Sequence, residues 1–451
     1  YWSPSDWAKY RAMKYKILIT VISLISLNTN SQEVLDLKKA TAITLENNLN
    51  IKISENFEKI SDNNTSFLNS GYLPTISAGS NFIKSNQNVE IKTPSGLEGT
   101  LENIESDSNS ANISMNFIIV DGAGRKFNYR KSKEWFNKSK LEVVEVIENT
   151  IFQLYTVYFE ACRLIEEQTI YKNNLDISQS RLDRKRLELE YGQSTSLEVL
   201  NAEVDFKNDS INYLNTISNL SNVKRDLNLI MNVDSEEIFE LITEVNFLEF
   251  KELNDAYSGA KENNTSLKID NKNVSISKNE MMATKSTYLP TIGLIGSYGW
   301  NESINDNPYA FFNKNINDGF SAGVSLSWDI FNSGRKIIAN KNAKIKYENS
   351  KIEKERKMNL FFNELNSIYQ THTNNLYIFE VQEKNLETNK LNFDRNLEQY
   401  KLGRLSSIQF RDAQLKLQRA ELQKNTSKYN TKISELALMK ISGQILTKSY
   451  K

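Results

Sequence analysis

The stretch that decides the fold is Tyr72-Leu73-Pro74-Thr75-Ile76, because the chain repeats it 216 residues later as Tyr288-Leu289-Pro290-Thr291-Ile292. Gly124-Arg125-Lys126 returns 210 residues on as Gly334-Arg335-Lys336, and Gly192 has its counterpart 211 residues on in Gly403. Ordered markers at a nearly constant offset define a duplicated unit of about 210 residues. The 451 residues therefore read as two similar halves sharing one architecture.

At Pro74 and again at Pro290 the apolar period changes. Beyond it every second residue is apolar, as in Ile76, Ala78, Phe82 and Ile292, Leu294, Tyr298, Trp300. The same alternation marks Ile113, Met115, Phe117, Ile119 and Phe320, Ala322, Val324, Leu326, Trp328, Ile330. A period of two with small polar residues between predicts two-faced strands, at 74–84, 109–120, 290–300 and 319–331. They form two hairpins with polar loops at 84–108 and 301–318. Pro74 and Pro290 cannot continue a helix and hold the preceding residue extended, so they fix where helix becomes strand.

Elsewhere the period is helical and uninterrupted. No Gly or Pro lies between Gly124 and Gly192 or between Gly334 and Gly403. This predicts long helices at 123–191 and 334–402, with return helices at 196–231 and 406–442 after the Gly192 and Gly403 turns. At 1.5 Å per residue the first would reach about 100 Å. A stripe from Val144 through Ile151, Leu154, Tyr158 and Leu182, and a strict seven-residue step through Leu365, His372, Phe379, Leu386, Phe393 and Tyr400, are coiled-coil seams. Short helices are expected at 50–71 and 265–287, and a less regular connector at 233–262 separates the first repeat, 33–232, from the second, 263–451.

Composition narrows function. With 56 basic and 56 acidic residues there is no net charge to draw a nucleic acid. The single Cys162 excludes an intrachain disulfide framework and any multi-cysteine metal site, and the single His372 sits on a packing seam with no partner to complete a metal or catalytic site. No metal, cofactor or enzymatic chemistry is expected. From Met13, Lys14 and Lys16 lead into the apolar run Ile17–Leu27 and then small polar residues. That order fits a secretory signal peptide cleaved near Ser31 or Gln32, with residues 1–12 as an upstream extension; a retained anchor is the alternative, although a bilayer span needs about 20 apolar residues. Removing 1–31 leaves 52 basic against 55 acidic side chains.

An alternating sheet fits a soluble half-buried layer as well as a membrane barrel. Strands near ten residues long, aromatics at their ends (Phe82, Trp300, Phe320, Trp328) and a small polar second face favour the barrel. Four strands cannot close around a lumen, and lipid tolerates no open edge, so copies must pool strands; three copies giving twelve is the simplest closure.

With its Tyr-Leu-Pro-Thr and Gly-Arg junctions, and its glycine turns followed by Leu200-Asn201-Ala202 and Arg411-Asp412-Ala413, the mature chain resembles the TolC-like outer-membrane efflux channels. The resemblance implies an α+β membrane channel: long coiled-coil hairpins and four transmembrane strands per protomer, a homotrimer with a twelve-stranded barrel in the outer membrane, and a twelve-helix periplasmic tunnel. It implies a passive exit duct of a tripartite efflux or type I secretion system, fed by an inner-membrane pump through a periplasmic adaptor docked at the Gly192 and Gly403 turns. It also implies carboxylate rings at the periplasmic end. By position Gln409 replaces one family carboxylate and Asp412 keeps the other, so one acidic ring is expected. The closed-state links map onto Glu198 and Tyr400, with Leu405 where the family has an arginine and Arg404 beside it. Against this, Glu198 also reads as a solvated helix-start carboxylate and Tyr400 as the last seam residue. Gly124, Gly334, Arg125 and Arg335 mark the strand-to-helix junctions, the arginines at the membrane's inner polar boundary or simply solvated.

Two other classes stand beside the channel. A trimeric coiled-coil adhesin would put its anchor strands at one terminus and repeat its stalk, whereas here strand pairs interleave with helices in both halves. An enzyme would need a paired-carboxylate, cysteine or phosphate-cradling motif that this sequence lacks.

Overall fold

The computed structural model describes residues 33–447 except 93, 95, 97, 309 and 311; the expected signal peptide lies outside them. Chain order is β1 (Glu33–Leu35), α1 (Leu37–Asn47), α2 (Leu49–Asn63), β2 (Thr75–Lys92), β3 (Glu98–Val120), α3 (Gly124–Glu190), α4 (Ser196–Met231) and β4 (Phe239–Leu241). Then follow α5 (Phe250–Asn263), α6 (Thr265–Ser286), β5 (Thr291–Asn305), β6 (Lys314–Ser327), α7 (Arg335–Lys401) and α8 (Ser407–Ile441). Among the described residues no helix is long and apolar enough to cross a membrane.

The two repeats are not two spatial units. Of the described residues, one compact unit takes those up to Ile51, Ile147–Glu262 and those from Leu365 on, and the other takes Lys52–Val146 and Asn263–Glu364. Each draws on both copies.

In the first unit, α3, α4 and α8 surround a core of Leu154, Tyr158, Phe159, Cys162, Leu227 and Tyr429. The α3 seam is buried where expected, at Ile151, Leu154, Tyr158, Ala161 and Leu182. Towards Gly192 the buried face shifts to Asn174, Ser178, Arg181 and Lys185, a polar stripe that an apolar count does not see. The connector is more regular than expected. It carries β4, parallel to β1, and α5. Buried groups hold it: the Tyr158 hydroxyl lies 3.0 Å from the Leu35 carbonyl and 3.2 Å from that of Ile242. Lys432 Nζ donates to the Asn246 carbonyl at 2.5 Å and to Glu435 at 2.6 Å, and Glu435 accepts from the Leu248 N–H at 2.9 Å. His372 is buried, its Nδ1 3.1 Å from Ser434 Oγ.

The second unit holds an antiparallel sheet in the order β2-β3-β5-β6. Its strands correct two expectations. The polar loop expected at 84–108 is largely strand, paired as far as Lys92 with Glu98, and β5 and β6 run through much of 301–318. These extensions are mostly polar, with few apolar residues such as the Val89–Leu101 pair, and are held by cross-strand pairs such as Lys84–Glu105 at 2.9 Å and Ser85–Ser106 at 2.7 Å, so no sustained apolar period announces them. Conversely, β6 stops at Ser327, and Trp328 leaves it to donate its indole N–H to the Tyr288 carbonyl at 3.1 Å. The short helix expected at 50–71 is α2 followed by a single turn at Phe67–Asn69, and α1 precedes it as a further, unexpected helix. Asn48 breaks the run: its side chain accepts from the N–H groups of Asn50 and Ile51 and donates to the Ile230 carbonyl.

Candidate functional site: sheet faces, strand junctions and helical turns

Register puts the large apolar residues on one face of the sheet. Ile76 pairs with Met115, Ile113 with Tyr298, Tyr298 with Phe320, and Leu294 with Val324. That face is bare: Ile76, Phe320 and Val324 are 70%, 74% and 71% exposed. The other face, interrupted by Ile83, Ile118 and Ile295, is built of small and polar residues, with cross-strand hydroxyl pairs Ser77–Ser114 and Ser297–Ser321, both at 2.8 Å. An apolar exterior opposite a hydroxyl-lined face is the transmembrane-barrel pattern. Because β2 and β6 each have one sheet neighbour, both outer edges are open.

At the strand-to-helix junctions the two copies differ. The Arg125 guanidinium lies 4.8 Å from the Tyr72 ring centroid, bonds the carbonyls of Gly71, Ile118 and Ile119 at 3.1, 2.7 and 3.0 Å, and pairs with Asp121 at 3.2 Å. It closes the junction rather than standing solvated. Arg335 is exposed and reaches only the Asn332 carbonyl, at 3.4 Å. Pro74 and Pro290 each sit immediately before a strand. The strained backbone is not at Gly124 but at Gly122 and Ala123, with φ +64° and +70°.

The helical turns at Gly192 and Gly403 are the same object twice. Their φ values of +72° and +70° are left-handed, where glycine avoids a Cβ penalty. The N–H groups of Gly192 and Gln193 bond the carbonyls of Leu189 and Glu188, and those of Gly403 and Arg404 the carbonyls of Tyr400 and Gln399, capturing the orphan acceptors of a helix end. The next helix starts on Thr195 or Ser406 as N-cap. Gln409 completes a capping box with Ser406, a use for the amide that the Ser406-x-x-Gln409 spacing itself signals. Glu198 holds the equivalent position but turns to Lys185 at 3.1 Å and Ser194 at 2.6 Å. The Ser194 hydroxyl and then the Lys185 ammonium hold its carboxyl below the usual carboxylate range.

The expected link between Glu198 and Tyr400 is absent within the chain. Tyr400 stacks on Phe410 at 4.4 Å under the Arg184 guanidinium, and its buried hydroxyl has no hydrogen-bond partner. Arg404 has an exposed side chain, while Leu405 packs on the Phe393, Tyr400 and Phe410 cluster. Asp412 is exposed and pairs with Lys416 at 2.6 Å. Sequence reading missed Arg181, Asp205, Asp209 and Arg411, four charges brought together here. Their only signal is helical spacing, which names no partner. No cluster of three metal-ligating side chains occurs among the described residues.

The sequence model of the outer membrane efflux proteins matches residues 43–233 and again 256–444. The chain belongs to the outer membrane efflux protein family. Membership makes this efflux protein an outer-membrane channel component and not an enzyme. Its fold is that of solved channels. The Campylobacter jejuni CmeC outer membrane channel aligns over 91% of this chain and 86% of its own, with TM-score 0.75 and 14% identity. VceC of Vibrio cholerae aligns over 90% and 96%, with TM-score 0.75 and 11% identity, and the open state of the Neisseria gonorrhoeae MtrE channel over 92% and 91%, with TM-score 0.71 and 14% identity. Comparison with curated protein sequences returned no match.

Proposed function

We propose that three copies of this chain pool their strands into a twelve-stranded barrel, continued by a twelve-helix periplasmic tunnel that serves as the passive exit duct of a tripartite efflux or type I secretion system. The supporting observation is the four-stranded sheet with an exposed apolar face, a serine-paired face and two open edges. In lipid those edges need partners, and a homotrimer supplies them. A periplasmic adaptor docks on the glycine turns at 191–196 and 402–407, and an inner-membrane pump provides the energy.

Asp412 forms the constriction. Being exposed near the start of α8, it repeats around a three-fold axis as one acidic ring that favours cations. Gln409, engaged in its capping box, adds no second ring. The exposed Arg404 side chain is available to a neighbouring copy, where Glu198 is the candidate acceptor for a closed-state link; Tyr400 joins that link once the tip rearranges to uncover its buried hydroxyl. Arg125 and Arg335 lie at the inner polar boundary of the membrane.

Planar-bilayer conductance of the detergent-extracted protein, with oligomer mass measured on the same sample, tests this. Trimers forming small cation-selective channels that open further in Asp412→Ala are expected. A monomer, or a trimer without conductance, would overturn the duct.

A further inference from the structure

Further along α8 from the Gly403 turn, one face of the helix opens into a cavity. Asp412, Lys416, Arg419, Gln423 and Thr426 recur every three or four residues, so they share that face, and all five are exposed. Lys416 is spent on Asp412 at 2.6 Å. Among the described residues the Arg419 guanidinium has no ion-pair or hydrogen-bond partner. Two helical turns separate it from Asp412, about 10 Å, which exceeds the screening length of about 8 Å at physiological salt, so the two charges act separately. Between α7 and α8 this face forms a cavity of about 320 Å³. Arg419, Gln423 and Thr426 line it from α8 and Gln382 from α7, with Ile378 and Leu422 as an apolar wall, and no carboxylate lines it among the described residues. The Gln423 and Thr426 side chains bond nothing within the described chain, and Gln382 uses only Oε1, which accepts from Asn385 Nδ2 at 3.2 Å.

Those groups select one chemistry. A guanidinium has donors only, set in a planar fork that matches a carboxylate. The amides and the hydroxyl beside it add neutral donors, the leucine and isoleucine add apolar surface, and the volume is that of a small-molecule site. We propose that this cavity is a solute-binding subsite on the wall of the duct that takes small organic carboxylates. Arg419 forks onto the carboxylate, Gln382 and Gln423 donate to the solute's polar groups, and its apolar body rests on Ile378 and Leu422. The placement on the wall rests on the reading of Asp412 as the constriction, because one face of α8 carries both residues. An exposed arginine holds its ligand loosely, as a conduit requires, since a solute that enters must also leave.

Saturation-transfer NMR of the detergent-extracted protein with benzoate tests the site. Benzamide supplies the same body without the charge, and inorganic phosphate a charge without the body. Expected is saturable benzoate binding that weakens at least about tenfold in Arg419→Gln and less in Arg419→Lys, which keeps the charge and loses the fork. Benzamide and phosphate should both bind more weakly than benzoate. Measuring every variant in the same detergent cancels uptake by micelles. Equal benzoate binding by wild type and Arg419→Gln overturns the site, and so does binding that survives Gln423→Trp, which fills the cavity from an exposed position. Benzamide or phosphate bound as tightly as benzoate overturns the assigned chemistry. Planar-bilayer recordings test the placement: benzoate should reduce the single-channel current of wild type and leave that of Arg419→Gln unchanged. Binding without any effect on current overturns the placement on the wall, while the response to Asp412→Ala judges the constriction separately. If wild-type protein does not conduct, the duct reading falls and the placement with it, whereas the cavity stands or falls on the binding data.

Discussion

Lys336, and not Arg335, stands in the second copy where Arg125 stands in the first. The Arg125 N–H bonds Asp121 Oδ2, four residues back, at 2.6 Å, and the Lys336 N–H bonds Asn332 Oδ1, four back, at 3.2 Å. Each follows two left-handed residues, Gly122 and Ala123 or Ser333 and Gly334, with one residue between. The structural offset is therefore 211, and it also carries α3 (Gly124–Glu190) onto α7 (Arg335–Lys401). The Gly-Arg-Lys strings align one residue out of step with the turns that contain them.

This slip predicts unequal arginines. Arg125→Ala leaves three carbonyls without their charged donor and should cost about 2–3 kcal/mol, whereas Arg335→Ala should stay within about 0.5 kcal/mol. Lys336→Ala, losing one bond to the Asp329 carbonyl at 2.9 Å, should fall between them. Apparent thermal midpoints by circular dichroism in detergent check the order; equal effects of the two arginine variants would refute it.

Gly122 should tolerate substitution least. A Cβ there would lie 2.7 Å from the Ser286 carbonyl oxygen and 2.8 Å from Leu289 Cβ, while at Gly334 it would meet open space. Gly334→Ala should cost only the left-handed penalty, about 1–2 kcal/mol. Gly122→Ala adds a backbone clash to that penalty, and its yield of folded trimer should be clearly the lower of the two.

The Lys432–Glu435 pair is 2% and 0% exposed in its side chains. Burial pulls the lysine below its ordinary value, and Glu435 opposes the shift. Lys432→Met alone leaves a buried carboxylate unpaired and should cost about 3–5 kcal/mol, while Lys432→Met with Glu435→Leu should recover most of that. Chemical denaturation of the two variants measures the difference. No recovery would mean that the bond from Glu435 to the Leu248 N–H matters more than the charge pair.

His372 should make stability pH-dependent. Burial holds its imidazole below the ordinary value, outweighing the pull of Glu435, while Lys432 pushes the same way as burial. The folded protein thus stays neutral at this site where the unfolded chain takes up a proton. The contribution is fully present above about pH 6.5 and declines as pH falls from there towards the folded value. His372→Leu should flatten the dependence of denaturation midpoints on pH below about 6.5; an unchanged slope would assign the dependence to other groups.

Much of this fold is legible in local rules. Pro74 and Pro290 each mark a helix-to-strand switch, glycine ends the helices after Glu190 and Lys401, and alternation separates the two faces of the sheet. The outer halves of β2 and β3 were not legible, because serines and opposite charges pair through most of them and the few apolar residues, such as Val89 and Leu101, make no sustained period. Nor was the asymmetry of the junctions, because identical Gly-Arg-Lys strings conceal a one-residue shift. At the glycine turns Gln409 was legible as a capping residue, but the partners of Glu198 and Tyr400 were not.

The duplication, the helix ends and the two-faced strands depend on neighbours along the chain and follow from residue order alone. Which charges meet is set by packing in three dimensions. Arg411 and Asp209 are 202 residues apart, and each compact unit draws on both repeats. Helical and strand periods follow from steric rules acting over a few residues. Partners that far apart are chosen by which polar groups packing removes from water, and a buried charge must then find its opposite.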